Sequence, residues 1–218
     1  MLTLDLAAGR ERLAVLAIGA HADDIELGCG GTLLRLARDV PALELTWVVL
    51  SAAGARFEEA EAGANAFGAT TVEIRDFEDA FFKYGREVKD YFETLKSVEP
   101  DLVLTHTDND RHQDHRLVCE LTWNTFRDHL ILEYEIPKYD GDLGAPGLFV
   151  HLSEDLVRRK VDAVLDVYGS QREKRWFTSD TFLGLMRLRG MESNAPSGHA
   201  EAFYSRKLVI GGSDGGGP

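Results

Sequence analysis

Residues 12–31 read RLAVLAIGAHADDIELGCGG, an apolar run that opens directly onto a polar cluster and a glycine-rich stretch. The run Leu13-Ala14-Val15-Leu16-Ala17-Ile18 is the signature of a buried strand. His21 and Asp24 follow it three residues apart, with Asp23 between them. A second strand candidate at 101–106 precedes HQDH at 112–115, which supplies His112 and His115. Two imidazoles and a carboxylate are a common ligand set for a catalytic zinc that keeps one position open for water. A spare carboxylate beside such a water is what metal-assisted hydrolysis needs. The two stretches together predict a metal-dependent hydrolase.

Outward from these motifs, apolar runs alternate with helix-like periodicity. Strands are predicted at 12–19, 43–51, 71–75, 101–106 and 130–136, with a weaker one at 148–152. Amphipathic helices are predicted at 31–38, 56–67, 84–98, 114–129 and 153–168. Short strands separated by helices imply βαβ units, hence an α/β, Rossmann-like fold with a mostly parallel, helix-covered sheet. One domain over 1–210 is expected, followed by a disordered Gly-rich tail at 211–218. In such sheets ligands gather beyond the carboxyl ends of the strands. His21, Asp23 and Asp24 follow the first strand and His106 to His115 follow the fourth, so both clusters fall on one edge.

The composition narrows the function classes. With 218 residues the chain is long enough for a sizeable core. Its formal charge of −13 argues against a nucleic-acid partner, which would need clustered Lys and Arg. The clusters Arg158-Arg159-Lys160 and Arg172 to Arg175 read as solvated helix faces. No apolar stretch approaches the roughly 18 residues of a membrane span. Two cysteines give no disulfide framework, and the chain opens without a signal-like segment, so the expected location is cytoplasmic. The partner is then a small molecule, and a homo-oligomer stays open.

In a tight loop leaving a strand, His21 and Asp24 could turn toward one ion while Asp23 takes the proton of a water. The competing explanation is that both aspartates cap a helix. Gly28-Cys29-Gly30-Gly31 would let the backbone turn closely into that helix. His112 and His115 lie on one side of a helix start; both could ligate, or one could face substrate. Asp114 is placed to hold an imidazole in one tautomer. Trp47, Trp123 and Trp176 read as core or interface aromatics, and His129 and His151 as structural.

The motifs resemble those of a known family. AHADDIELGCGG is similar to HPDDxELGxGG, and HQDH to HPDH, of the PIG-L/LmbE-like zinc-dependent N-acetylglucosaminyl deacetylases. The 51–68 stretch and His199-Ala200-Glu201-Ala202-Phe203, similar to the family's YAEAF, extend the likeness over 12–208. The resemblance implies zinc held by His21, Asp24 and His115, with iron or another divalent ion as the alternative. It makes Asp23 the general base and His112 the acid or oxyanion stabiliser. It places Arg56 against the sugar or its substituent, on an N-acyl amino sugar that is free, nucleotide-linked or lipid-linked. Two departures stand out: Ala22 replaces a Pro, and Asp110 stands where some members have a Tyr that polarises the carbonyl. His199 stands where the family has a Tyr and could face the mouth of the site.

Two rival functions share these residues. Two histidines and a carboxylate also describe the facial triad of non-haem iron oxygenases, although those need no adjacent base. A non-catalytic sugar- or nucleotide-binding module is the third reading; the first loop does not fit GxGxxG, and its acidic pair would repel a pyrophosphate.

Overall fold

The first strand, β1 (Arg12–His21), sorts its side chains by parity. Leu13, Val15 and Ala17 enter the core on one face, and Leu16, Ile18 and Ala20 the core on the other, as the two-residue period of a strand requires. A strand buried on both faces needs a helical layer on each side. The computed structural model, which describes residues 2–79 and 85–210, supplies both. On one side lie α1 (Asp24–Asp39), α2 (Ala55–Ala66), α5 (Glu154–Val167) and α6 (Ser179–Glu192). On the other lie α3 (Arg86–Thr94) and α4 (Gln113–Thr125).

The remaining strands are β2 (Ala42–Ser51), β3 (Thr71–Ile74), β4 (Leu102–His106), β5 (Leu130–Tyr134), β6 (Leu148–His151) and β7 (Ala200–Tyr204). They form one sheet in the order β3-β2-β1-β4-β5-β7-β6. The pairs from β3 through β5 are parallel, and β7 joins both β5 and β6 antiparallel. The fold is therefore the single-domain, mostly parallel α/β architecture that the alternation of strands and helices predicts. Among the described residues no helix is long and apolar enough to cross a membrane. The expected tail at 211–218 lies outside the described residues.

Three elements depart from the sequence reading. Helix α1 begins at Asp24, so Gly28, Gly30 and Gly31 lie inside the helix and do not form a turn before it. Glycine is a poor helix former, but each of these positions meets a neighbour that a side chain would strike. A Cβ on Gly28 would sit 2.2 Å from Tyr134 Cδ2, one on Gly30 2.5 Å from Phe67 Cε1, and one on Gly31 2.5 Å from Leu152 Cδ1. Helix α6 and strand β7 carry no clear period. In α6 Phe182 and Met186 are buried while Leu188 and Met191 are exposed, and in β7 the polar Glu201 is buried.

Glu201 explains its own burial. Its carboxylate accepts from the Gly31 N–H at 2.8 Å, from the Thr32 N–H at 2.6 Å and from Lys160 Nζ at 2.6 Å. Lys160 also donates to the Leu27 carbonyl at 2.7 Å. Lys160 is therefore no part of a solvated basic face; it is a buried cation that ties α5 to α1 and β7. A buried pair persists only when its remaining donors and acceptors are satisfied, and the α1 backbone supplies them here.

The ring that fills the notch at Gly28 is itself fixed, because Tyr134 Oη donates to the Ile18 carbonyl at 2.7 Å. Gly28→Ala should therefore lower the unfolding temperature by several degrees. Overpacking costs about 1–3 kcal/mol, more than the roughly 1 kcal/mol that alanine gains in a helix. Calorimetry on the two proteins checks this, and a variant that unfolds at or above the parental temperature would refute the packing role.

Candidate functional site

The chain winds from β1 to β2 and β3 on one side of the sheet, then crosses to β4 and β5 on the other. The loops leaving β1 and β4 consequently part, and a crevice opens beyond their carboxyl ends, the place where open α/β sheets bind ligands. A cleft of about 460 Å³ lies there, lined by His21, Asp23, Arg56, His112, Lys138 and Trp176 among others. His21 is the last residue of β1, Asp24 the first of α1, His112 the N-cap of α4, and His115 lies in the first turn of α4.

Three donor atoms converge at this point. His21 Nδ1 lies 3.3 Å from His115 Nε2 and 3.5 Å from Asp24 Oδ2, and His115 Nε2 lies 3.5 Å from the same oxygen. A tetrahedral ion with donors at about 2.0–2.1 Å has donor–donor edges of about 3.4 Å, so the three atoms match one face of such a tetrahedron. The far nitrogen of each ring meets a carboxylate: His21 Nε2 lies 3.1 Å from Asp114 Oδ2, and His115 Nδ1 lies 2.8 Å from Asp110 Oδ2. A carboxylate at one ring nitrogen holds the proton there and turns the other lone pair toward the ion. Asp24 is oriented in turn by the His21 N–H, 2.7 Å from Oδ2.

The charges of the site fit the same arrangement. Burial opposes a charge on His21, but hydrogen bonds to Asp114 and Asp24 and the nearby carboxylates outweigh it, and the ring is pushed up to about 10. The carboxylates around His21 thus favour positive charge on the ring. Burial raises Asp24 as well, yet His115, His106 and His21 hold it well below the usual carboxylate range.

Asp23 sits beside the triangle with a different environment. It is the N-cap of α1 in the left-handed region, φ 89°, and its side chain makes no cap hydrogen bond. Capping therefore does not account for this aspartate. Burial pushes its carboxyl up to about 6, with the Asp24 charge adding to the rise and Arg56 and His21 opposing it. Arg56 Nη2 donates to Asp23 Oδ2 at 2.9 Å and to the Ala22 carbonyl, while Nη1 donates to Glu59 at 2.9 Å. The guanidinium also lies over the Tyr168 ring, 5.2 Å from its centroid. Arg56 lines the cleft, as its assignment to substrate requires, but most of its hydrogen-bonding capacity is already directed at Asp23 and Glu59.

Other predicted residues fall in places the sequence did not indicate. His112 Nδ1 accepts from the Asp114 N–H at 3.3 Å, which caps α4 and leaves the ring edge beside His21, 4.9 Å between centroids. The Asp114 carboxylate reaches back to His21 rather than serving only its neighbouring imidazole. Asp110 is almost fully buried and accepts from the His112 N–H and Lys138 Nζ, both at 2.8 Å, besides meeting His115. Its carboxylate is thus committed to the protein and does not take the place of a substrate-facing Tyr. His199 pairs with Ser197, its Nδ1 3.2 Å from the Ser197 carbonyl, and it is absent from the cleft lining.

Sequence reasoning left three contributors unassigned or undervalued. His106 is fully buried and stacks on His115 at 3.9 Å with 19° between the rings, and burial and the His115 charge lower it to about 4. Together with Asp24 and His115 it forms a second candidate donor trio. Nearly parallel stacked rings, however, point their in-plane lone pairs side by side, and His106 Nε2 already takes the Ala20 N–H at 3.0 Å. The His21 trio is the better fit to one ion. Glu26 is pushed up to about 8 by burial, against the pull of its hydrogen bond from Tyr168, so it adds little negative charge behind the site at neutral pH. Trp176 packs edge-on against Phe177 and Phe182 and also lines the cleft.

Comparisons with known proteins bear on the family and the fold. The profile of the PIG-L family, described as GlcNAc-PI de-N-acetylase, matches residues 16–126. An Escherichia coli (strain K12) protein named as an uncharacterized deacetylase, YaiS, is 33% identical over 147 residues, covering 61% of this chain and 78% of that protein. The N,N'-diacetylchitobiose deacetylase of Pyrococcus horikoshii superposes with a TM-score of 0.72 at 20% identity, over 90% of this chain and 84% of that one. GalB, the 4-carboxy-2-hydroxymuconate hydratase of Pseudomonas putida KT2440, superposes with a TM-score of 0.75 at 18% identity, over 93% and 98%. The two structural likenesses show the fold alone, and that fold carries hydration as well as deacetylation. The profile match covers half of the chain and takes in the second half of β1, both histidine motifs and the loops between them: the chain belongs to the PIG-L deacetylase family.

Proposed function

We propose that the protein is a metal-dependent N-deacetylase that hydrolyses the amide of an N-acylated amino sugar or its conjugate. The observation that carries the reading is the donor triangle of His21, Asp24 and His115 with Asp23 beside it, in a chain of this family. A divalent ion held there, zinc as the first expectation, would lower the pKa of a bound water and polarise the substrate carbonyl. Asp23, buried and close to the neutral range, accepts the proton of the attacking water. Arg56 holds that carboxylate in place by a 2.9 Å ion pair.

His112 acts on the substrate side. Burial and the charges of His115 and His21 lower its pKa, and its Nδ1 is the acceptor of the Asp114 N–H. The neutral ring therefore carries its proton on Nε2, where it can donate to the developing oxyanion and follow the proton to the leaving amine. Asp114 and Asp110 orient His21 and His115 and touch no substrate. The cleft offers the Trp176 ring and the cations Lys138 and Lys174 to the remainder of the molecule. The family descriptor and the P. horikoshii enzyme both concern N-acetylated glucosamine derivatives, which supports an amino sugar as the substrate class.

Acetate release from a panel of free, nucleotide-linked and lipid-linked N-acetyl sugars tests the reading. Zinc-loaded protein should turn over at least one class without oxygen or a cosubstrate, and metal-free protein none. Asp23→Asn should keep its metal and lose on the order of 10²–10⁴ in rate. Turnover that requires oxygen, or near-parental turnover by Asp23→Asn, would reject this chemistry.

The tie between Arg56 and Asp23 has a direct readout. The guanidinium lowers the Asp23 carboxyl, so Arg56→Met should raise it from about 6 by about one unit or more. Carbon NMR titration of the metal-free proteins would report it. An unchanged Asp23 titration would mean that the ion pair contributes nothing to the acidity of this group.

A further inference from the structure

Arg56 is held from more sides than its pairing with Asp23 requires. Nη2 donates to Asp23 Oδ2 at 2.9 Å and to the Ala22 carbonyl, and Nη1 donates to Glu59 Oε2 at 2.9 Å. The Tyr168 ring backs the guanidinium, and its own Oη is tied to Glu26. Glu59 lies three residues from Arg56 on α2, and its side chain is only 12% exposed. An ordinary surface pair on a helix would end there. Here the same carboxylate also reaches a different element. Its Oε1 accepts from the Ser170 N–H and its Oε2 from the Ser170 hydroxyl, both at 2.7 Å.

Ser170 sits in the short helical turn Gly169–Gln171. Further turns continue it, with the Lys174 N–H on the Gln171 carbonyl at 2.9 Å and the Phe177 N–H on the Lys174 carbonyl at 3.0 Å. Gln171, Lys174 and Trp176 of this segment line the cleft, as do Asp23 and Arg56, whereas Glu59 does not. Glu59 therefore stands behind the lining and joins two parts of it.

We infer that Glu59 is a positioning residue that fixes two parts of the cleft at once: the general base, through Arg56, and the wall at 169–176, through Ser170. A guanidinium is a rigid planar fork, so a carboxylate on Nη1 sets where Nη2 meets Asp23. Both Glu59 oxygens face donors only. An amide at this position would set its own N–H against either Arg56 or Ser170. Glu59→Gln therefore breaks the clamp while keeping the size of the side chain. This role rests on the reading of Asp23 as the base of the proposed hydrolysis.

The test is steady-state kinetics of Glu59→Gln, Arg56→Met, their combination and Ser170→Ala, on the N-acyl sugar that the parent turns over. Glu59→Gln should raise KM and lower kcat on the order of tenfold to a hundredfold, the scale of a small misplacement of a catalytic group. In the Arg56→Met background the same change should leave kcat where Arg56→Met put it and still raise KM. Only the effect on the base runs through Arg56, so the kcat losses of coupled residues do not add. Ser170→Ala cuts one contact to the wall and spares the Arg56 pair. It should raise KM with kcat close to parental, and it decides the matter if Glu59→Gln does not fold. Three results would each overturn the clamp while an active parent leaves the hydrolytic reading standing: kcat losses that multiply in the combined variant, parental kcat and KM in Glu59→Gln, or a parental KM in Ser170→Ala. A parent that releases acetate from no N-acyl sugar overturns the hydrolytic reading instead, and the role of Glu59 with it.

Discussion

Two carboxylates behind two imidazoles are the constraint on which the site depends. Asp114 meets His21 at Nε2 and Asp110 meets His115 at Nδ1, so each ring turns its other nitrogen toward the same point. Without those contacts each ring could rotate or carry its proton on the inner nitrogen, and the triangle with Asp24 would be lost. The contacts are affordable only because both carboxylates are buried among other donors. Asp110 accepts from a backbone N–H and from Lys138, and Asp114 belongs to the first turn of α4, where a negative charge suits the helix N-terminus.

The fold supplies the positions that this chemistry needs. The strand order reverses beside β1 and β4, so residues 91 positions apart in sequence meet at a single crevice, as the register of β1 against β4 shows at the level of the strands. His21 ends β1 on one wall, and the N-cap and first turn of α4 present His112 and His115 on the other. Packing beneath the site is tight. Tyr134 fills the notch at Gly28 and hydrogen-bonds Ile18, and His106 stacks under His115. The donor atoms therefore sit on regular elements with fixed backing, the arrangement that best preserves a geometry.

Much of this was legible in the sequence because it rests on local pattern. The apolar runs marked the five parallel strands to within a few residues, since a strand buried on both faces leaves an uninterrupted hydrophobic signal. The motifs around His21 and His115 revealed the donor types and the edge of the sheet on which they lie. What stayed hidden depends on tertiary contacts. Nothing in the spacing of Asp110 and Asp114 indicates that the first turns to His115 and the second to His21. Gly28 to Gly31 looked like a turn because glycine is costly in a helix, and the close approach of Tyr134, Phe67 and Leu152 explains its presence there. Lys160 looked like part of a solvated basic run because its partner, Glu201, lies 41 residues away. Helix α6 escaped detection because exposed Leu188 and Met191 blur its buried stripe.

The proposed chemistry turns on which atoms hold the ion. Crystals of the zinc-loaded protein, measured at the zinc absorption edge, would locate the metal by its anomalous scattering independently of any assay. The predicted strongest peak lies about 2.0–2.2 Å from His21 Nδ1, Asp24 Oδ2 and His115 Nε2, with Asp23 adjacent and not ligating. A strongest peak bound to His106 in place of His21, or one that takes Asp23 as a ligand, would contradict it.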